Sequence, residues 1–552
     1  MRLRKITDKI TVNVVAGTSS VLFSIDMKQT DTTTLLGFYI RKENNKQPQQ
    51  AYDVHSIKHF QGASPSPNGL YSTEEQPWQS FLWEDYYVSN DGDYLYFFTP
   101  VYGQPGNLTY GEKIEIPVDI SKAKDGKHEL HFNRGVAGSQ AYAREFGNRR
   151  PDEMPPAEKE KALTWLSKGL KEAMIAFIGQ ANGHGKGLRC CFYEFIFPEV
   201  LQALKDAHAS GADVKIIYDS RHEKTKNDKA IETAGIPREM MIRRTADPAF
   251  LQHNKYMVLL EDEQPVAVST GSTNITEKAI FGHCNTLHIV RDPAIAENYL
   301  KHWEGLESDP LNEAARANAI AIKQDPKIVS SGTTTLFSPR PGTKVLKLYS
   351  QLIANSQRLV CGMFPFSFNK GIKSAITQDT EHLKYIIIDK KTKNTTLVTN
   401  DVDNVIIYGG SYDEPLYGWA QEVDSGELFY SGVNFIHNKV ILIDPLSDDP
   451  IVITGSANFS DNSILRNDEN TMVIRGDRDV ADSYFTEFAR IFNHYASRQD
   501  TIKLKPHNTA TNYNPSILET NPANWTASFY KSTALKFKRR DMFSAMNATV
   551  IP

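Results

Sequence analysis

HNKYMVLLEDEQPVAVSTGSTN fills positions 253–274, and HNKVILIDPLSDDPIVITGSAN fills positions 437–458. Each stretch opens on His-Asn-Lys and closes on Gly-Ser-x-Asn at the same spacing. In a strand, residues i and i+2 face the same side, so His253 emerges with Lys255 and His437 with Lys439. The apolar runs Tyr256–Leu259 and Val440–Ile443 support buried strands. The runs Val266–Ser269 and Ile451–Thr454 then pair back as hairpins. Their Gly-Ser-x-Asn turns bring Ser272 and Asn274, or Ser456 and Asn458, beside the same strand end. Further on, Asn285-Thr286-Leu287 echoes Asn470-Thr471-Met472. Matched spacing in two copies implies a duplicated α/β domain, with copies expected over 157–325 and 340–500.

The flanking sequence fits that reading. In the first copy the pattern predicts a helix over Ala162–Phe177, a strand over Glu194–Phe197, a helix over Pro198–Ala209 and a strand over Val214–Tyr218. In the second it predicts a helix over Val345–Ala354, a strand over Arg358–Met363, a helix over Asn369–Thr377 and a strand over Leu383–Ile388. Alternation of this kind implies βαβ units and a largely parallel sheet. Residues 1–145 differ. Short strands are expected at Ile10–Val15, Val21–Ile25, Leu35–Ile40, Tyr94–Val101, Lys113–Val118 and His128–Phe132. That spacing predicts an all-β sandwich of immunoglobulin or fibronectin type. A polar, proline-rich linker follows at 146–160. The tail, 501–552, carries Trp525, Phe529, Tyr530 and the basic residues Lys536, Lys538, Arg539 and Arg540, and is expected to pack on the paired α/β domains. The chain is thus read as multidomain, an N-terminal all-β sandwich followed by two pseudo-symmetric α/β domains.

Composition bounds the function. The chain has 552 residues, more than one core holds. Its 62 Lys and Arg against 66 Asp and Glu leave a net charge of −4, which excludes a sequence-blind basic nucleic-acid coat but not a locally basic site. No signal-peptide apolar core and no apolar run of about 18 residues is present, so a soluble, cytoplasmic protein is expected. Cys190, Cys191, Cys284 and Cys361 have neither disulfide-framework nor zinc-ligand spacing and read as buried thiols.

Two lysines and two asparagines in one pocket suit a phosphodiester, and suit the added charge of its five-coordinate transition state better still. Two histidines near neutrality supply a nucleophile and a general acid. Attack by histidine gives a covalent phosphohistidine, dividing one hard displacement into two easier ones. The lysines neutralise the charge, so no cofactor or metal is called for. His253, His283 and His288 have no acidic or cysteine set that would complete a metal site.

These residues resemble the phospholipase D superfamily, whose signature is His-x-Lys-(x)4-Asp followed by Gly-Ser-x-Asn. The second copy matches at His437, Lys439, Asp444, Gly455, Ser456 and Asn458. The first matches at His253, Lys255, Gly271, Ser272 and Asn274, with Leu260 in the Asp position, a structural position in the family. The β-unit also looks like the sandwich that precedes the catalytic pair in some bacterial members. The resemblance implies catalysis by His253, Lys255, Asn274, His437, Lys439 and Asn458, with Ser272 and Ser456 near substrate. It also implies an acidic residue about eleven positions after the last Asn, orienting the other copy's histidine. Glu469 stands there in the second copy, whereas the first offers only His283, Cys284 or Asn285. By that resemblance Glu469 serves His253, which becomes the nucleophile, and His437 the general acid.

The phosphodiester leaves the alcohol open. A phospholipid substrate with peripheral membrane contact needs an apolar rim, for which Ile280-Phe281-Gly282 and Phe364-Pro365-Phe366 are candidates. A DNA or RNA substrate needs a basic groove, for which Arg243, Arg244 and Lys536–Arg540 are candidates. The lipid reading is favoured. A nuclease, or a degenerate binding module whose sandwich recruits a partner, are the alternatives.

Overall fold

The computed structural model describes every residue except 67–68, 90, 124–125, 136–141, 143–144, 148, 410–435 and 504–515. The chain is multidomain and its sheets are mixed.

Residues 1–120 build two five-stranded sheets. One orders Thr549–Ile551, Arg2–Ile6, Ile10–Ala16, Val21–Met27 and Leu82–Asp85; the other is centred on the antiparallel pair Leu35–Asn44 and Asp93–Gln104. Inward residues of both, among them Val12, Val14, Phe23, Phe38, Tyr96 and Phe98, share one apolar cluster. The first sheet borrows its edge from the chain's end: Thr549–Ile551 lies parallel to Leu3–Lys5. Trp525 and Phe529 complete the cluster against Phe81, and the Trp525 indole N–H donates to the carbonyl of Leu35 at 3.1 Å. The tail, expected against the α/β pair, divides between two clusters, since Phe543 and Met546 join the apolar cluster between the two larger sheets.

Each larger sheet has seven strands in one order. Across the first run His128–Phe132, Thr286–Val290, Gln264–Gly271, Lys255–Glu261, Lys186–Phe192, Asp213–Asp219 and Met241–Arg244. Across the second run Gly332–Ser338, Glu469–Arg475, Ile451–Gly455, Val440–Ile443, Leu359–Phe364, Leu383–Ile388 and Asn404–Tyr408. The motif strand is central in both. Its runs 256–260 and Val440–Ile443 are apolar because both faces are covered. Tyr256, Val258, Val440 and Leu442 point into the cluster shared by the two sheets. Met257 and Leu259 point to helices outside the first sheet, and Ile441 and Ile443 to helices outside the second. Between the sheets lie Pro293–Glu307, with Tyr299 and Trp303, and Arg478–Lys503, with Tyr484, Phe488 and Phe492.

Several sequence expectations are corrected. The sheets are mixed rather than largely parallel: only Lys186–Phe192, Asp213–Asp219 and Met241–Arg244, with their counterparts, run parallel. The motif hairpins and the strands beside them are antiparallel, since a short turn cannot join parallel neighbours. His128–Phe132, expected in the N-terminal unit, pairs with Thr286–Val290 at the edge of the first larger sheet. The strand before Pro198 is Lys186–Phe192, and Glu194–Phe197 is the loop that follows it. The helix expected over Ala162–Phe177 is two helices, broken where Lys168 and Gly169 adopt φ of 49° and 90°.

Trp525→Ala removes a buried indole and its hydrogen bond. A loss of about 3–5 kcal/mol is expected. Urea denaturation measures it, and an unchanged midpoint would show that the tail does not brace the β-unit.

Candidate active site

The two motifs meet through their backbones. The His253 N–H donates to the carbonyl of Asp468 at 2.9 Å, and the His437 N–H to that of Cys284 at 3.2 Å. Each motif strand therefore begins against the residues that follow the other motif's Gly-Ser-x-Asn turn. The asparagine inside each His-Asn-Lys bolts the crossing. Asn254 Oδ1 accepts from Asn470 Nδ2 at 2.9 Å, and Asn438 Oδ1 accepts from Ser272 Oγ at 3.0 Å and Thr286 Oγ1 at 2.8 Å. The sequence reading passed over Asn254 and Asn438; their presence at the same place in both copies was the available signal.

The turns need glycine. Ser272 N–H donates to the Thr286 carbonyl, and Ser456 N–H to that of Asn470. A Cβ on Gly271 or Gly455 would run into those same oxygens. The hydroxyls of Ser272 and Ser456, expected near substrate, accept from the N–H of Thr286 at 3.1 Å and of Asn470 at 3.0 Å, so they hold the turns. Asp444 lies at the far end of its strand, accepting from the N–H groups of Gln357, Arg358 and Leu359 at 2.8, 2.7 and 3.0 Å. Leu260, in the corresponding place, is buried in the apolar cluster behind a β-bulge.

The imidazoles differ in their partners. His253 Nδ1 lies 2.8 Å from Glu469 Oε2, and His437 Nδ1 lies 3.0 Å from Asn285 Oδ1. In both, Nε2 is left for chemistry. Lys255 and Lys439 each donate one N–H to the carbonyl of their motif histidine, at 2.5 and 2.8 Å. All four groups are buried. Burial lowers His253 to about 4 and Lys255 to about 8. His437 and Lys439 also fall well below their ordinary values through burial, His437 further through the charges of Lys439, His283, Lys255 and His253. The Glu469 charge opposes these shifts on His253, Lys255 and Lys439. Such crowding of cationic groups favours an anion. Asn274 Nδ2 donates to the Glu194 carboxylate, and among the described residues the side-chain oxygens of Asn274 and Asn458 have no partner.

Aromatic rings wall the site on both sides. The Tyr193 ring is 5.0 Å from that of His253 and 5.3 Å from Lys255 Nζ. The Phe366 ring is 6.2 Å from that of His437 and 5.7 Å from Lys439 Nζ. Tyr193 and Glu194 were not singled out from sequence, because they were assigned next to or within a strand; Asn285 was named there only as one of three residues at the orienting position.

Other candidates go elsewhere. Ile280, Phe281 and Gly282 are buried and supply no rim, and Phe364 is core, leaving Phe366 exposed. Arg244 is buried between Asp468 and Asp309, Arg243 pairs with Asp228, Lys538 with Asp403 and Arg540 with Asp26. Lys536 lies over the Phe529 ring and Arg539 donates to Asn493, so these candidates are spread over separate contacts. His288 bonds to Tyr484 and His128. Among the described residues, no three His, Cys, Asp or Glu side chains gather so as to hold a metal ion. No helix among them is long and apolar enough to cross a membrane.

A family model described as "Cardiolipin synthase, PLD-like domain" matches residues 174–306 and 411–492. A protein named phospholipase D from Rickettsia bellii is 32% identical over 104 residues, covering 19% of this chain and 48% of that one, so the match spans about half of the relative's length. Among solved structures, a phospholipase D family member, Nuc, from Salmonella typhimurium is 29% identical, covering 24% of this chain and 84% of that one at a TM-score of 0.21. Phosphatidylserine synthase from Haemophilus influenzae is 14% identical, covering 68% and 93% at a TM-score of 0.38.

Asn285→Asp would place a carboxylate beside His437. Because an adjacent anion favours the imidazolium, the His437 pKa should rise by about one unit or more. Titration of histidine side chains by NMR checks this, and a static His437 would show that Asn285 is not its partner in solution.

Proposed function

Because the chain belongs to the phospholipase D superfamily, we propose that it cleaves a phosphodiester through a covalent phosphohistidine, the head-group bond of a phospholipid being its substrate. The observation that carries this reading is the difference between the two imidazoles, one backed by a carboxylate and the other by an amide, across one cationic pocket.

His253 is the nucleophile. Its Nδ1–H donates to Glu469, which leaves a lone pair on Nε2 and stabilises the imidazolium character that develops on attack. Nε2 bonds to phosphorus, the phosphorus–oxygen bond to the alcohol breaks, and His437 gives that oxygen its proton. Water then attacks phosphorus and passes a proton to His437, the phosphorus–nitrogen bond breaks, and His253 is restored. The ammonium groups of Lys255 and Lys439, with amide N–H groups of Asn274 and Asn458, bind the non-bridging oxygens and their growing charge. No step draws on a metal or cofactor. In the empty site, burial first and the cationic neighbours second keep His437 neutral; the substrate's negative charge offsets both and lets His437 carry the proton it donates.

The lipid reading draws on Phe366, exposed beside His437 and Lys439, on the named relative, and on the burial of Arg244 in ion pairs away from any groove. Phospholipid vesicles, plasmid DNA and RNA, assayed side by side in EDTA, test it. Turnover of lipid is expected. Cleavage of nucleic acid instead would make the protein a nuclease of the same superfamily, and inertness toward all three would leave a binding module. His253→Asn and His437→Asn should each lower turnover by about 10²–10⁴-fold or more. The His437 variant should accumulate an adduct on His253 detectable by mass spectrometry; an adduct on His437 in the converse variant would reverse the roles.

The pH profile follows from the same groups. His253 must be neutral and is so above about 4. His437 must be protonated, and its pKa in the free enzyme lies below the ordinary 6.5. The alkaline limb of kcat/KM should therefore fall below pH 6.5 and that of kcat higher. A kcat/KM that stays flat from pH 6 to 9 would contradict the assignment.

A further inference from the structure

His283 is a third imidazole at the site, and its environment is unlike that of the other two. Its ring lies 5.5 Å from that of His437, at 45°. Both ring nitrogens are shielded from solvent and neither has a hydrogen-bond partner among the described residues. His288 and His302, buried in the core away from the site, do find partners: His288 has Tyr484 and His128, and His302 has Tyr256. A buried polar group left unsatisfied is unfavourable, so one kept beside a reacting centre points to a partner that arrives with the ligand.

The backbone that carries the ring is held firmly. A single π-helical turn, Lys278–Gly282, leads into it, a distortion often found at functional sites. The His283 N–H donates to the Lys278 carbonyl at 2.9 Å, and its carbonyl accepts from Asn133 Nδ2 at 2.7 Å. Asn133 Oδ1 also takes the Asn285 N–H at 2.9 Å, and Asn285 Nδ2 donates to the Ala279 carbonyl at 2.8 Å. Ile280 and Phe281 anchor the turn in the core. One loop thus carries both the amide that orients His437 and the imidazole beside it. Burial and the Lys439 and Lys278 charges lower His283 to about 3, so it is neutral, with one N–H donor and one acceptor nitrogen.

We propose that His283 is a catalytic residue on the leaving-group side, hydrogen-bonding the oxygen that His437 protonates as the alcohol departs and holding the water that later takes that oxygen's place. An oxygen that reaches the His283 nitrogens displaces the packing that now shields them, and with the rings 5.5 Å apart it comes within reach of His437 as well. His437 still supplies the proton; the His283 N–H spreads the charge that builds on the oxygen as the phosphorus–oxygen bond breaks. The inference rests on the phosphodiesterase reading and adds to it a demand: the departing alcohol is a poor leaving group, an alkyl rather than an aryl ester.

First-turnover rates test this on two substrates, the alkyl-ester diester that the wild type cleaves in the panel above and bis(p-nitrophenyl) phosphate, whose phenolate departs with little help. His283→Ala should slow the alkyl ester by about 10²-fold, as loss of one oxyanion donor does, and the aryl ester by no more than about threefold. His283→Gln, which retains a neutral donor, should recover part of the alkyl-ester rate. A structural role would slow both substrates alike, so equal losses, or no loss on either, would overturn the proposal while leaving the phosphodiesterase reading intact. A wild type inert toward every diester would remove that reading and this inference with it.

Discussion

Two backbone hydrogen bonds hold the candidate site together: His253 to Asp468 and His437 to Cys284. Each ties the first residue of one motif to the strand that follows the other motif's turn. The carboxylate of Glu469 reaches His253 because Asp468, its neighbour, is the residue paired there, and the amide of Asn285 reaches His437 because Cys284 is. Orientation of the imidazoles is thus a consequence of strand pairing, and the buried asparagines Asn254 and Asn438 lock that pairing with side-chain bonds in both directions. Asp468 adds rigidity from behind, since its carboxylate is clamped by Arg221 and Arg244.

Burying two lysines and two histidines together is unfavourable while no anion is present. Desolvation and mutual repulsion both oppose charge, so the lysines and His437 are pushed down and His253 is neutral. The stability for such an arrangement comes from elsewhere. The apolar cluster between the two seven-stranded sheets, with Pro293–Glu307 and Arg478–Lys503 inside it, holds the sheets in place. That division follows the strand period. Alternate residues of each motif strand fill the inner and outer clusters, and the catalytic candidates sit only where the strand begins. An anion entering the pocket reverses the sign of the local electrostatics, which makes ligand charge itself part of the protonation state.

The N-terminal β-unit is bound into the rest by charge as well as by packing. The Arg2 guanidinium is buried against Asp482 at 2.8 Å and donates to the carbonyls of Pro445, Leu446 and Ser447, in the turn beyond Asp444. With Thr549–Ile551 paired to the first strand, both ends of the described chain meet at one sheet edge. Basic residues that look available in the sequence are consumed in such contacts. Arg244 and Arg540 are buried in ion pairs, so they build the structure rather than a groove.

The sequence alone named the candidate residues of the site. His, Lys, Gly, Ser and Asn recur at a spacing that a strand and a tight turn translate directly into one constellation, and local geometry is what sequence period encodes. It also put Leu260 in the place that Asp444 holds in the other copy. Tertiary structure decided what spacing cannot express. Whether Tyr193 and Glu194 lie in a strand or in the loop over His253 depends on where the sheet ends. Whether Phe281 forms a rim or a core, and whether Arg244 is free or clamped, depends on neighbours far along the chain. The partner of His437 belongs to the same class: a carboxylate pattern points to Glu469, but an amide has no such signature, and only the crossing of the two sheets brings Asn285 to that ring.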